Sequence, residues 1–205
     1  MKKSTCFAYT VENGIYINIT NRCTNSCVFC IRNNGDGAYG SDSLWLEYEP
    51  SVSEMIEAVK RLYNEKTSEL VFCGYGEPTQ RLEALILCAC RLKEEYPDTP
   101  LRINTNGHSD LINGCDTSEK FGVFDKVCVS LNASASARYD ELCRSKFPGK
   151  AFDSLLNFAD NVNKRFKNVQ FSVVREMLTD SEIKDCISLS DLLGIPLRIR
   201  NYISE

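Results

Sequence analysis

The sequence predicts an α/β fold: an open six-stranded parallel (β/α)6 partial barrel with a short N-terminal hairpin and a cysteine-bearing loop after the first repeating strand. Strand-like and helix-like segments alternate about six times, the pattern of parallel strands joined by crossover helices. Six units are too few for a closed eight-stranded barrel. The strands also alternate polar and apolar residues, whereas parallel strands buried on both faces read as continuous apolar runs. One face therefore lines a polar, ligand-filled lumen; a sheet with one face in water is the alternative.

Residues 6–10 and 15–20 are extended and flank Glu12-Asn13-Gly14, where Asn-Gly signals a hairpin. Residues 21–44 form a long loop, and a loop of that length inside a compact domain is commonly functional. Its Gly-rich half also reads as plain surface loop. Ser51 and Glu54 have capping-box spacing at the start of a helix carrying Val52, Met55, Ile56, Val59, Leu62 and Tyr63 in register. A strand at 70–73, a helix at 81–95 and a strand at 101–104 follow. Next come a strand at 126–132, helices at 136–144 and 151–166, and a strand at 169–175. A helix at 181–193 ends at Gly194, and a last strand covers 196–202. The polar faces hold Tyr16, Asn18 and Thr20, then Arg102 and Asn104, then Cys128, Ser130 and Asn132. Gln170 and Ser172 continue the set, followed by Arg198, Arg200 and Tyr202.

The 205 residues suit one domain over 1–205, with ordinary globular composition. A net charge of −4 argues against nucleic acid as a partner. No apolar run approaches a membrane span, and MKKSTCFAYT lacks the apolar stretch of a signal peptide. Eleven cysteines, an odd number with no export signal, point to a reducing cytoplasmic setting rather than a disulfide scaffold. Eight of them read as small buried residues or spare thiols.

The other three carry the chemistry. In CTNSCVFC, Cys23, Cys27 and Cys30 lie within eight residues, close enough to share one soft metal centre. A closed zinc site or a cubane normally takes four protein ligands, so three leave an open coordination position. A structural zinc site completed by His108, the only histidine, is the competing reading. Downstream, GYGEP follows a strand, with Gly74 and Gly76 allowing close backbone approach to a ligand and Glu77 beside them. Asn104-Thr105-Asn106-Gly107 and Val129-Ser130-Leu131-Asn132 end the next two strands. All lie on the side where open α/β sheets bind ligands.

These motifs together resemble the radical S-adenosylmethionine (radical SAM) superfamily. YINITNRCTNSCVFCIRN, LWLEYEP, VFCGYGEPTQRL, RINTNGH and VSLNA are similar to the small TatD-associated radical SAM proteins. Tyr75 replaces one glycine of the family's GGEP turn, and Asn132 its aspartate. The resemblance implies a [4Fe–4S] cluster on Cys23, Cys27 and Cys30, with SAM chelating the fourth iron. It implies SAM contacts from Phe29, Gly74, Gly76, Glu77, Thr105, Asn106, Ser130 and Asn132. Loop amides near Gly35 and Gly37 would meet cluster sulfides. Loss of Glu77 is expected to weaken SAM binding and leave the cluster intact.

The implied function is reductive SAM cleavage to a 5′-deoxyadenosyl radical that takes hydrogen from a polar or anionic substrate. An oxygen-sensitive cluster, an electron donor such as flavodoxin or ferredoxin, and a small-molecule or protein substrate go with it. The end of the chain at Glu205 is expected to leave no cysteine-rich extension for further clusters. An activase acting on a partner protein is the alternative, and a metal-binding interaction protein without turnover the second. Arg102, Arg198 and Arg200 on the polar faces are candidates for binding an anionic substrate group.

Overall fold

A computed structural model describes residues 2–202; residues 1 and 203–205 of the expected 1–205 unit lie outside the described residues. Seven strands form one sheet in sequence order. Strand β1 (Ala8–Val11) pairs antiparallel with β2 (Gly14–Ile17). The parallel set continues from β2 through β3 (Glu69–Phe72), β4 (Leu101–Thr105), β5 (Lys126–Ser130), β6 (Val169–Val174) and β7 (Leu197–Arg200). The predicted hairpin plus six parallel strands is thus the observed sheet. Its turn is one residue earlier than the Asn-Gly signal suggests. Val11 pairs with Gly14, so Glu12 and Asn13 turn the chain, with Glu12 at φ 53°.

The helices follow their apolar stripes. α1 (Val52–Leu62) buries Met55, Ile56 and Val59, and Ser51 and Glu54 form the capping box read from the sequence. α2 (Leu82–Glu95) buries Leu85, Cys88, Ala89 and Leu92, after a 3-10 turn at Pro78–Arg81 that absorbs the predicted first residue. α3 (Ser109–Asn113) is a short helix absent from the sequence reading, stopped by Gly114 in the left-handed conformation. α4 (Ser136–Cys143) and α5 (Ala151–Phe166) appear as expected. α6 (Asp180–Leu193) starts before residue 181 because Thr179 and Glu182 build a second capping box. Strand β5 stops at Ser130 rather than residue 132, since Asn132 has φ 59°, which a strand cannot continue.

Every parallel strand except β3, where Val71 is apolar and fully buried, has two chemistries. Ile15, Ile17, Ile103, Val127, Val129, Phe171 and Val173 are buried in one core with Leu85, Leu155 and Phe158. The opposite face is not apolar. Tyr16, Arg102, Asn104, Cys128, Ser130, Gln170, Ser172, Arg198 and Arg200 line a cavity of about 330 Å³. The polar alternation therefore marks a lumen. Asn18 and Thr20 share its parity and serve another purpose. The Asn18 amide donates to the Leu44 carbonyl at 2.8 Å, and the Thr20 hydroxyl donates to Glu49 Oε1 at 2.6 Å, so both tie down the long loop.

Candidate functional site at the carboxyl ends of the strands

The loop after β2 brings Cys23, Cys27, Phe29 and Cys30 to the cavity wall. It is held as a built structure. Asn21 exchanges two hydrogen bonds with the Leu46 backbone, at 2.8 and 2.9 Å. The Ser26 and Val28 amides donate to carbonyls at the end of α4, each at 2.9 Å. Among the described residues, no three His, Cys, Asp or Glu side chains are already grouped around one metal position. The thiols instead meet protein partners. Cys23 Sγ accepts from the Asn25 amide at 3.4 Å, Cys30 Sγ accepts from Arg32 Nε at 3.3 Å, and Cys27 lies against Cys143. Burial, with the Glu77 carboxylate next in effect, pushes the Cys23 thiol up to about 12. Cys27 is raised by its hydrogen bond with Cys143 and by burial. The protein alone thus favours thiols, and a soft cation is what would turn them into thiolates.

His108 takes no part in this group. Its ring nitrogens meet Thr24 Oγ1 and Tyr139 Oη, both at 3.0 Å, in a fully buried position, and burial pushes its pKa down to about 4. The zinc site completed by His108 is overturned, because both possible donor atoms already have partners.

The turn after β3 differs from its expected role in three respects. A Cβ on Gly74 would lie 2.1 Å from Asn18 Oδ1, and one on Gly76 2.2 Å from the Thr20 carbonyl. These glycines are required for packing against the end of β2, although both also line the cavity. Tyr75 is buried with its hydroxyl 2.9 and 3.0 Å from the Gly35 and Gly37 carbonyls, and its ring lies edge-on to Trp45. The carbonyls of the loop glycines thus anchor Tyr75.

The third difference is Glu77, which is buried and accepts four hydrogen bonds. Oε1 accepts from the Thr79 amide at 3.1 Å, the Thr79 hydroxyl at 2.8 Å and the Thr105 hydroxyl at 2.7 Å. Oε2 accepts from the Asn106 amide at 2.7 Å. Burial raises its pKa and these donors oppose the rise. Glu77 therefore knots the β3 and β4 turns together, and the Thr105 hydroxyl is committed to it.

Asn106 continues the network. Its Nδ2 donates to Thr24 Oγ1 at 2.8 Å and approaches Cys23 Sγ at 3.9 Å. Asn132 Nδ2 donates to Cys143 Sγ at 3.5 Å, while its buried Oδ1 has no partner. Asn25 Oδ1 is likewise buried and unpartnered. Phe29 is in the apolar core as well as on the cavity wall, and Ser130, the last residue of β5, lines the cavity. Of the three arginines, Arg102 is already paired. It donates to both Glu69 oxygens at 2.9 and 2.6 Å, to Asn104 Oδ1 at 2.8 Å and to Tyr16 Oη at 3.2 Å. Arg102 lines the cavity with its charge already balanced by Glu69. Arg198 and Arg200 stand on the wall beside Tyr39 and Tyr202.

Arg32 and Asn25 were missed in the sequence. A cation two residues after Cys30 was the available signal for Arg32, which also donates to the Asn25 carbonyl at 3.3 Å. The role of Asn25 depends on Tyr139, whose hydroxyl accepts from its Nδ2 at 3.0 Å across a sequence separation of 114.

Comparison with known proteins adds the following. The Radical SAM superfamily profile matches residues 17–189. A curated relative, "Probable dual-specificity RNA methyltransferase RlmN" of Mycobacterium ulcerans (strain Agy99), is 24% identical over 199 residues, which are 94% of this chain and 52% of the relative. The chain thus spans about half the length of that relative. Among solved structures, Streptococcus suis SuiB bound to precursor peptide SuiA is 19% identical, with a TM-score of 0.68 over 91% of this chain and 38% of that one. The S-adenosylmethionine complex of SuiB gives 18% and 0.66 over 91% and 40%. A radical SAM methyltransferase from Sphaerobacter thermophilus gives 16% and 0.59 over 95% and 68%. These structures share the fold of this chain.

Proposed function

Because this chain belongs to the radical SAM superfamily, we propose that it holds a [4Fe–4S] cluster on Cys23, Cys27 and Cys30 and cleaves SAM to start hydrogen abstraction from a polar or anionic substrate. That it is an enzyme of the radical SAM class follows from the family. The assignment of residues, cluster and substrate is our reading. One observation carries it. The only three cysteines on the loop after β2 share a cavity wall with the turns after β3, β4 and β5, so a soft donor set and a polar chamber meet at one point.

Several features of the residues support the fit. Three sulfurs, with His108 committed to Thr24 and Tyr139, suit iron–sulfur ligation and leave one iron for an exogenous chelate. The unpartnered acceptors on Asn25 and Asn132 suit a ligand that carries N–H or O–H donors. When bound, a reduced cluster supplies the electron that splits the SAM sulfonium. This chain's residues do the rest. Arg32 offsets negative charge at Cys30. Asn106, Ser130 and Asn132 orient SAM at the strand ends, with residues 74–77 forming the opposite side of its site. Glu77 and Thr105 act by fixing those turns, and Phe29 closes the core behind them.

An electron donor such as flavodoxin or ferredoxin, and membership of the TatD-associated group, belong to the same proposal. Among the described residues no helix is long and apolar enough to cross a membrane. Anaerobic reconstitution should give about four irons per chain, and dithionite should release methionine and 5′-deoxyadenosine from SAM. A chain that loads the cluster and binds SAM without releasing either product would sink the proposal.

A further inference from the structure

The β6–β7 end of the cavity carries two arginines that lie outside the cysteine group. Arg198 and Arg200 lie two apart on β7, face the same side and both line the cavity. Neither guanidinium makes a hydrogen bond or ion pair with any described residue. Arg102 differs, being held by Glu69, Asn104 and Tyr16. Among the described residues, the one carboxylate on the cavity wall is Glu77, and it is buried under four donors. Among the described residues, the wall therefore has two adjacent cations with no hydrogen-bonded counter-charge. Arg200 is half-buried with no partner among the described residues, which is costly, and the more exposed Arg198 beside it repels it. Burial holds the Arg200 pKa below its ordinary value, and the Arg198 charge acts in the same direction. Tyr39 lines the same cavity near them, its backbone in the left-handed region at φ 54°. Such a conformation in a bulky residue is costly and collects at ligand sites. Gln170 and Ser172 line the same end and add polar side chains.

We propose that Arg198 and Arg200 clamp an anionic oxygen group of the substrate, a phosphate or a carboxylate, at this end of the cavity. The proposal rests on the reading of the cavity as the reaction chamber and names the class of molecule that enters it. A planar guanidinium matches two oxygens of such a group through parallel N–H donors, which an ammonium cannot do.

The test is calorimetric titration of the reconstituted full chain with inorganic phosphate and, separately, with malonate, at constant ionic strength. Saturable binding of at least one probe is expected, at a Kd of about 10 mM or tighter. Arg200→Gln should weaken it about tenfold or more, and Arg200→Lys by less, because charge remains but the fork is lost. Phosphate alone would assign a phosphoryl group, malonate alone a carboxylate. In the absence of anion, Arg200→Gln should unfold about 2–4 °C above wild type, since it removes an unpaired charge. This readout also shows that the variant is folded. Equal binding by wild type, Arg198→Gln and Arg200→Gln, or no saturable binding of either probe, would overturn the proposal. Release of 5′-deoxyadenosine by the wild-type chain is scored separately. Its failure sinks the catalytic reading, while failed anion binding sinks this one.

Discussion

Glu77 shows how a side chain can line a site and hold its walls together at the same time. The sequence places it correctly at the end of β3 and suggests a role in cofactor contact alone. Its four bonds to Thr79, Thr105 and Asn106 show that it also carries structure. Glu77→Gln turns an acceptor into a donor that faces other donors, leaving buried groups unsatisfied. We expect a loss of about 1–3 kcal/mol in urea unfolding of the cluster-free chain, together with poorer iron loading, because the Glu77 amide also donates to the Arg22 carbonyl in the cysteine loop. Wild-type stability with weakened SAM binding only would restore the simpler expectation. His108 gives a second residue-scale test. It is buried as the neutral imidazole, with a pKa near 4 against 6.5 for the free group, set by burial and opposed by Asp140. A depressed folded pKa means the unfolded chain binds the proton first. Stability is therefore full above pH 6.5 and falls as pH drops toward 4, by up to about 3 kcal/mol. His108→Gln should flatten that slope in unfolding curves at matched pH, and parallel slopes would assign the acid sensitivity to other groups.

At the scale of elements, legibility followed the range of the interactions. The α1 start was readable because Ser51, Glu54 and the apolar stripe lie within one short window. The α6 start carried the same local signal in Thr179 and Glu182, and the helix was read one residue short. Thr179→Ala should cost about 0.5–2 kcal/mol, measurable as a lower thermal midpoint, while Ser181→Ala, inside the helix, should leave the midpoint nearly unchanged. A larger effect at Ser181 would contradict the assigned cap. α3 was missed because five residues give no usable period, and only Gly114 marked its end. The hairpin turn was misplaced by one residue because strand pairing, and not the Asn-Gly pair, sets which residues turn. What the window of a motif could not contain was its distant partner. Tyr75 is explained by carbonyls some forty residues earlier, and Arg102 by a glutamate on the neighbouring strand.

Across the whole molecule, the sheet divides its labour between two faces. Alternation in the sequence already announced this, since apolar residues of one parity are buried under helices and polar residues of the other surround the cavity. The consequence is that stability and chemistry are separable to a degree that a site buried in the core would not allow. Cys23, Cys27 and Cys30 are each only partly buried and sit on the cavity side, so none is a keystone of the core. Replacing any one of them by Ala should change the unfolding free energy of the cluster-free chain by about 1 kcal/mol or less, while iron loading and the blue absorbance of the reconstituted protein are lost. Cys143 is the control. It is fully buried among the core residues and accepts from Asn132, so Cys143→Ala should destabilise the chain more and still permit iron to bind. If Cys143→Ala loses iron while one of the three loop variants retains it, the ligand set has been drawn around the wrong sulfur.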